Sequence, residues 1–328
     1  MSANTLSAER GTPGAQHGET DYRVATRSAA LRYPSLTTTV PKEFVHRASV
    51  AEVMLTDWER REDHQFAVTA QWPRSHSFFT AVNGRHDPLI AAETLRQAGA
   101  LLAHAEYGVP LGHHFLMWDL SLTVCPEHFL VGSAPAALDI EVVCSDIKMR
   151  RENLTGMRYR TVMRRAGHVV ATGSASFTCM APKVYQRLRA DRLNDAGAQL
   201  PLTAPTAPQN VGRVSPTDVV LSPVGQPGRW QLRVDTRHPV LFEHPVDHIP
   251  GMMLLEAARQ ATVATLGEGS MPLSVTAEFS RYAELDAPCL IEARRLPRTE
   301  HEEAVEVTGH QDGELAFRST VTATASAG

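Results

Sequence analysis

What this 328-residue chain has little of narrows it first. Its four cysteines, Cys125, Cys144, Cys179 and Cys289, lie far apart and include no Cys-x-x-Cys pair. That excludes the ligand spacing of a structural zinc site and the framework of a small disulfide-stapled secreted domain. No metal and no cofactor are expected. No run of about 18 uncharged apolar residues occurs, and the N-terminus lacks a basic start followed by an apolar stretch. The expectation is a soluble, unexported, cytoplasmic protein with no membrane partner. Charge of one sign is also scarce: 32 Lys and Arg against 36 Asp and Glu leave a formal net charge of -4. Nothing in that balance draws the chain to nucleic acid, and no helix-turn-helix or basic reading segment is present. With 43% hydrophobic and 21% charged residues it is globular, and it is long enough for two domains of ordinary size.

What is present is the same short passage, twice. His76-Ser-Phe-Phe runs to Pro88 and on to Glu93-Thr-Leu-Arg96-Gln97-Ala98, and His238-Pro-Val-Leu runs to Pro250 and on to Glu256-Ala-Ala-Arg259-Gln260-Ala261. In both copies the His-to-Pro spacing is the same, and His86 and His248 each stand two before the proline. A repeat of this kind marks two copies of one folding unit. The spacing of small residues and prolines then divides the chain into a flexible arm over 1–38, a first domain over 39–193, a linker over 194–213 and a second domain over 214–328.

Within each unit the expected order is β character, one helix, then alternating strands. The helices fall at Pro88 to Glu106 and Pro250 to Leu266, and the first is apolar around most of its circumference, which predicts burial. Strands are expected at 116–124, 138–143, 159–163, 304–308 and 315–321, with hairpin turns at Arg165-Ala-Gly167 and Gln311-Asp-Gly313. A short helix from Pro182 closes the first unit. One long buried helix wrapped by a curved antiparallel sheet is the hotdog arrangement, so the fold class is α+β, a double hotdog. The two units should join sheet edge to sheet edge within one chain, which also makes a complete monomer possible.

The passage His244-Pro-Val-Asp247-His248-Ile-Pro-Gly251-Met-Met-Leu-Leu-Glu256-Ala resembles the active-site helix of β-hydroxyacyl-acyl-carrier-protein dehydratases. It departs from them in one respect: Phe242 occupies the position of their catalytic histidine, and His244 stands two residues nearer the glutamate. From about Val40 onward the chain more fully resembles the A-factor biosynthesis family of γ-butyrolactone synthases. Val45-His-Arg47, Asp87-Pro-Leu-Ile-Ala-Ala-Glu93-Thr-Leu-Arg-Gln-Ala98, Gly112-His-His-Phe-Leu-Met117, the box Asp247 to Gln260, Arg281-Tyr-Ala-Glu284 and Gly309-His-Gln-Asp-Gly313 carry that likeness. The resemblance implies transfer of a β-ketoacyl group from acyl carrier protein to the hydroxyl of dihydroxyacetone phosphate, giving the ester precursor of a butyrolactone, butenolide or furan signal. A dehydratase or thioesterase on the same donor, or a non-catalytic acyl-ligand sensor, are the alternatives.

Such a transfer needs a base for the hydroxyl, and a carboxylate with a raised pKa in an apolar helix serves; Glu93 and Glu256 are the two candidates. Gly251, after Pro250 at a helix start, exposes backbone N–H groups to a developing oxyanion. Arg96 and Arg259 are planar donors for a phosphate. The resemblance favours Glu93, Glu256 and Arg259 as catalytic groups converging on one acyl cavity, with Arg96, His244, Asp247, His248 and Gly251 binding substrate. Glu and Arg at i and i+3 also read as an intrahelical ion pair that needs no substrate. Gln97 and Gln260 read as helix–sheet contacts, and His76 and His238 as residues at strand ends. Arg150, Arg151, Arg158, Arg160, Arg164 and Arg165 form either a basic rim for an acidic carrier protein or a solvated strand face.

Overall fold

The computed structural model describes residues 37–190, 192, 200–267, 269–297 and 302–324. Most of the arm expected over 1–38, and residues 194–199 of the expected linker, lie outside them. The first half runs β1 (Leu55–Glu62), β2 (Gln65–Trp72), α1 (Pro88–Ala105), β3 (His114–Val124), β4 (Ala136–Arg150), β5 (Asn153–Arg165), β6 (His168–Met180) and α2 (Pro182–Leu188). The second runs β7 (Leu221–Pro223), β8 (Arg229–Leu232), α3 (Gly251–Leu266), β9 (Pro272–Phe279), β10 (Cys289–Arg295), β11 (Glu302–Gln311) and β12 (Glu314–Thr324).

The strands form one antiparallel sheet in the order β1-β2-β4-β5-β6-β3-β9-β12-β11-β10-β8-β7. Read outward from its centre, each half repeats the other strand for strand. The halves join where β3 pairs with β9, from Asp119 opposite Glu278 to Thr123 opposite Ser274. This is the double hotdog that the repeat predicts. Its two free edges are protected by different means: β1 carries Asp57, Glu59, Arg60, Arg61 and Glu62, whereas β7 is three residues long and ends in proline.

Local chemistry sets the element boundaries. Asp87 caps α1 by accepting the Leu89 N–H at 2.9 Å, and Pro88 stands where a missing N–H costs nothing. The hairpins β5–β6 and β11–β12 turn through Ala166-Gly167 and Asp312-Gly313, all four at positive φ. Both long helices lie in a single buried cluster that spans the two halves. Among the described residues no helix is long and apolar enough to cross a membrane.

α1 is buried on nearly every side, and Gly99 is where the sheet comes closest. A Cβ there would sit 2.4 Å from Cζ of Tyr159, a fully buried ring whose hydroxyl donates to the Leu95 carbonyl at 3.1 Å. The ring has no room to retreat. Gly99→Ala is therefore expected to lower stability by about 1–3 kcal/mol despite the better helix propensity of alanine, read as a fall in the denaturation midpoint.

Candidate active site

Glu93, Arg96 and Gln97 lie within one turn of α1, and a fourth residue completes their cluster. Arg47 follows a tight 3-10 turn at Lys42–Val45 and His46, whose φ is 54°. Glu93 Oε1 accepts from Gln97 Nε2 at 2.6 Å, Arg96 Nη2 at 2.8 Å and Arg47 Nη2 at 2.6 Å, and Oε2 accepts from Arg96 Nε at 3.0 Å. Gln97 ties this carboxylate to the chain before β1, donating to the Glu52 carbonyl at 2.7 Å and accepting from the Met54 N–H at 2.9 Å.

The second half repeats the arrangement residue for residue. Glu256 is gripped by Arg213 at 2.6 and 2.8 Å, Arg259 at 2.8 and 2.9 Å and Gln260 at 2.5 Å. Gln260 in turn binds the Asp218 carbonyl and the Val220 N–H. Residues 208–213, expected as linker, thus carry a working part of the second unit. The expected histidine pair is repeated too: Nδ1 of His76 accepts from the N–H groups of Phe78 and Phe79, and Nδ1 of His238 from those of Val240 and Leu241.

The carboxylates are not raised-pKa bases. Burial alone would lift Glu93 and Glu256, but the paired guanidiniums outweigh it and hold each at about 2. Nor do the two converge. A cavity of about 310 Å³ opens between the halves, lined by Arg47, Arg96 and His46 from the first and by His244, His248 and Gly251 from the second. Glu93 stands directly behind its Arg47 and Arg96 wall, 1% exposed, while none of Glu256, Arg259 or Arg213 lines it. Arg213 instead reaches across to the first half, donating to the Phe78 carbonyl at 2.7 Å and pairing with Asp87 at 3.1 Å. Where the first half has His46, the second has Gly212, and Arg259 and Val263 close over the space a side chain would fill. One cluster therefore faces a cavity and its duplicate is sealed.

Apolar side chains form most of the cavity wall, Leu116, Met117, Leu120, Phe177, Leu254 and Leu255 among them. Phe115 belongs to it, while Trp118 is exposed on the outside, donating to Thr178 at 2.8 Å. Polar groups gather on the loop that enters α3. His248 Nδ1 lies 2.8 Å from Asp247 Oδ1, which leaves Nε2 as its uncommitted nitrogen. Asp247 also accepts from the Tyr185 hydroxyl at 2.7 Å and from Arg189 Nε at 3.3 Å, both contributed by α2 and its end. Burial would raise Asp247, but His248, Tyr185 and Arg189 hold it well below the usual carboxylate range. Pro250 supplies no side-chain cap, so the Gly251 and Met252 N–H groups have no partner within the helix. Gly251 also lets Phe279 close, since a Cβ there would be 3.3 Å from its ring.

A second histidine is fixed in the opposite sense. His104 Nδ1 lies 2.6 Å from the Val109 carbonyl, which can only accept, so its Nε2 is bare and the His46 Nε2–H, 2.7 Å away, must donate to it. His46 is left with Nδ1 as an acceptor. Burial, followed by the charge of Arg96, drives its pKa down to about 3. Among the expected basic rim, Arg158 pairs with Asp119, Arg164 with Glu141, and Arg165 donates to the Leu130 carbonyl. Among the described residues no group of three or more His, Cys, Asp or Glu is placed to hold a metal ion.

The sequence matches the model of the A-factor biosynthesis hotdog domain twice, over residues 29–181 and 195–327. The chain belongs to that family. Its relatives in the A-factor family include a 2-oxo-3-(phosphooxy)propyl 3-oxoalkanoate synthase of Streptomyces virginiae, 56% identical over 284 residues, or 86% of this chain and 96% of the relative. A protein of the same name from Streptomyces griseus is 45% identical over 282 residues, 85% and 93% of the two chains. Solved structures with a similar fold include a 12:0-ACP thioesterase from Umbellularia californica, 11% identical with a TM-score of 0.48, covering 80% of this chain and 97% of that one.

The two clamped glutamates of this A-factor family member differ in what surrounds them, and stability should report it. Glu256→Gln leaves two sealed guanidiniums without their carboxylate, a loss of about 3–5 kcal/mol. Glu93→Gln should cost less, because Arg96 is 20% exposed and cavity water can solvate it. Denaturant unfolding of the two variants checks the order. Acid should also destabilise the fold. His46 titrates near 6.5 when unfolded and about 3 when folded, so the unfolded chain alone takes up a proton between them, and stability falls as pH drops through that window. Below about 4.5 the two glutamates add a loss of the same sign. His46→Gln should flatten the upper part of this decline in melting temperature.

Proposed function

We propose that this chain is itself a 2-oxo-3-(phosphooxy)propyl 3-oxoalkanoate synthase, esterifying a hydroxyl of dihydroxyacetone phosphate with a 3-oxoacyl group. Identity to relatives of that name over most of both chains supports the activity. The donor is a 3-oxoacyl thioester of acyl carrier protein, as the family resemblance implies. The observation that carries the site assignment is that a single apolar cavity holds the Asp247-bound His248, the uncapped start of α3 and the Glu93-bound guanidiniums.

Those groups divide the work by their chemistry. The acyl chain lies along the apolar wall. The triose hydroxyl loses its proton to Nε2 of His248 as its oxygen attacks the thioester carbon, and Asp247 stabilises the imidazolium that forms. The tetrahedral oxyanion is met by the Gly251 and Met252 N–H groups, with the positive end of the α3 dipole behind them. Its collapse breaks the carbon–sulfur bond, and the departing thiolate recovers the proton from His248, so ester and thiol are the products.

Glu93 acts through the arginines, as a positioning residue. It fixes Arg47 and Arg96 and cancels much of their charge, which suits them to donate to a neutral 3-oxo carbonyl. Glu256 and Arg259, favoured from the sequence as catalytic, hold the second half in register from their sealed position. His244 lines the cavity beside Glu243, whose carboxylate lies 3.0 Å from its Nδ1.

The test is a product mass. With a 3-oxoacyl carrier protein and dihydroxyacetone phosphate, the wild-type protein should form the ester, and omission of the triose should leave the thioester intact. His248→Gln should lower the rate about 10²–10⁴-fold with folding unchanged. A free 3-oxo acid as the product in both cases would instead establish a thioesterase, and full ester formation by His248→Gln would remove His248 as the base.

A further inference from the structure

The cavity has two kinds of arginine. Arg47 and Arg96 share Glu93, and Arg47 has a second carboxylate, Glu243, at 3.5 Å, so two positive charges meet two negative ones. Arg281 is different. It lines the same cavity, is exposed, and among the described residues makes no hydrogen bond or ion pair.

Its backbone, in contrast, is firmly held. Ser280 N–H donates to the Ala316 carbonyl at 2.9 Å, and the Ala283 carbonyl accepts from the Ile249 N–H at 2.8 Å. Gln311 then binds the main chain of Glu284 on both its N–H and its carbonyl, at 2.7 and 3.0 Å, and the Ala287 carbonyl at 2.7 Å. The Glu284 carboxylate is taken by Arg189 at 2.5 and 2.7 Å. A free guanidinium on a pinned loop is preorganised for a ligand, because only its own side chain remains to be ordered.

Position indicates which ligand. Phe279, two residues before Arg281, packs on Gly251, and Ala283, two residues after it, is bonded to Ile249. Arg281 therefore flanks the start of α3, where the helix dipole and the free N–H groups already favour an anion. Beyond Arg281 and Tyr282 the cavity meets a polar cleft of about 190 Å³ that also contains Gln311 and Asp312. A three-carbon acceptor whose hydroxyl is delivered to His248 keeps its phosphate close to the reacting carbon, on this same side.

Resting on the function proposed above, we infer that Arg281 is the phosphate anchor for the acceptor substrate and sets the preference for a phosphorylated triose. The unbalanced charge selects the phosphate ester, while the balanced pair at Arg47 and Arg96 receives the neutral ketone.

Arg281→Gln is a suitable probe, since the exposed side chain carries no contact the fold requires; an unchanged melting temperature verifies this. The ratio of kcat/KM for dihydroxyacetone phosphate over dihydroxyacetone should fall about 10–100-fold in the variant, and Arg281→Lys should restore part of it. The donor side supplies the second arm, because a phosphopantetheine thioester also carries a phosphate. The ratio for 3-oxoacyl-phosphopantetheine over 3-oxoacyl-pantetheine should not change. If the donor ratio collapses and the acceptor ratio stands, or if neither moves, the inference is overturned. Calorimetric titration of the protein with dihydroxyacetone phosphate alone needs no turnover. Loss of that binding in Arg281→Gln supports the anchor even if no ester forms, and equal binding by both proteins refutes it.

Discussion

The structure turns on one costly interaction made twice: a carboxylate buried in a central helix and held by two arginines and a glutamine. Withdrawing these charges from water carries a penalty of several kcal/mol per ion, which the mutual hydrogen bonds must offset. Such a cluster is a poor way to gain stability and a good way to fix position. Arg47 and Arg213 come from short irregular segments between 3-10 turns, outside any strand, and a hydrophobic contact alone would let them slide. The carboxylate admits one docking geometry, and Gln97 or Gln260 extends it to the chain leading into the outer strands.

Duplication within one chain then allowed the copies to part. In a symmetric dimer every residue appears at both sites, so His46 could not exist without its twin. Here the residue before the clamp arginine is histidine in one half and glycine in the other, in the same left-handed conformation. Arg213 turns its remaining nitrogen to Asp87 and the Phe78 carbonyl of the first half, and it does not line the cavity as Arg47 does. Arg47 uses its own remaining nitrogen on Glu243, at the edge of the cavity that stayed open.

Much of this was legible in the residues. Proline at the first helical position and an all-round apolar surface located α1 to within one residue of its end, and the Gly-containing turns located both hairpins because positive φ was required there. The repeat yielded the topology. The clamp role of the arginines did not stand out: Arg47 entered only as part of a family motif, and Arg213 lies in a stretch without any period that read as linker. Their only local signal is Val-x-Arg-x-Ser, present as Val45 to Ser49 and again as Val211 to Ser215. Missing them reversed the chemistry: a carboxylate in an apolar helix implied a raised pKa, and the unseen guanidiniums push it the other way. Tyr185 and Arg189 left no signal at all, because their partners at Asp247 and Glu284 lie far along the chain.

Those last contacts explain why the cavity needs both halves in a fixed relation. The loop bearing Asp247 and His248 belongs to the second unit, yet the first unit holds it from two directions. Glu243 accepts the Ala48 and Ser49 N–H groups at 3.0 and 3.1 Å, just past the Arg47 clamp. From the other side Tyr185 and Arg189, at the end of the first unit, grip Asp247 and, through Glu284, the loop of Arg281. A short helix that the sequence presents as the close of one domain is thus a brace across the cavity. Because Arg189 touches both loops, any motion that opens the cavity must move the His248 and Arg281 loops together or break a buried ion pair. His248 and Arg281 are consequently braced by one shared residue, which suits the reaction proposed between an acyl group and a small phosphorylated alcohol.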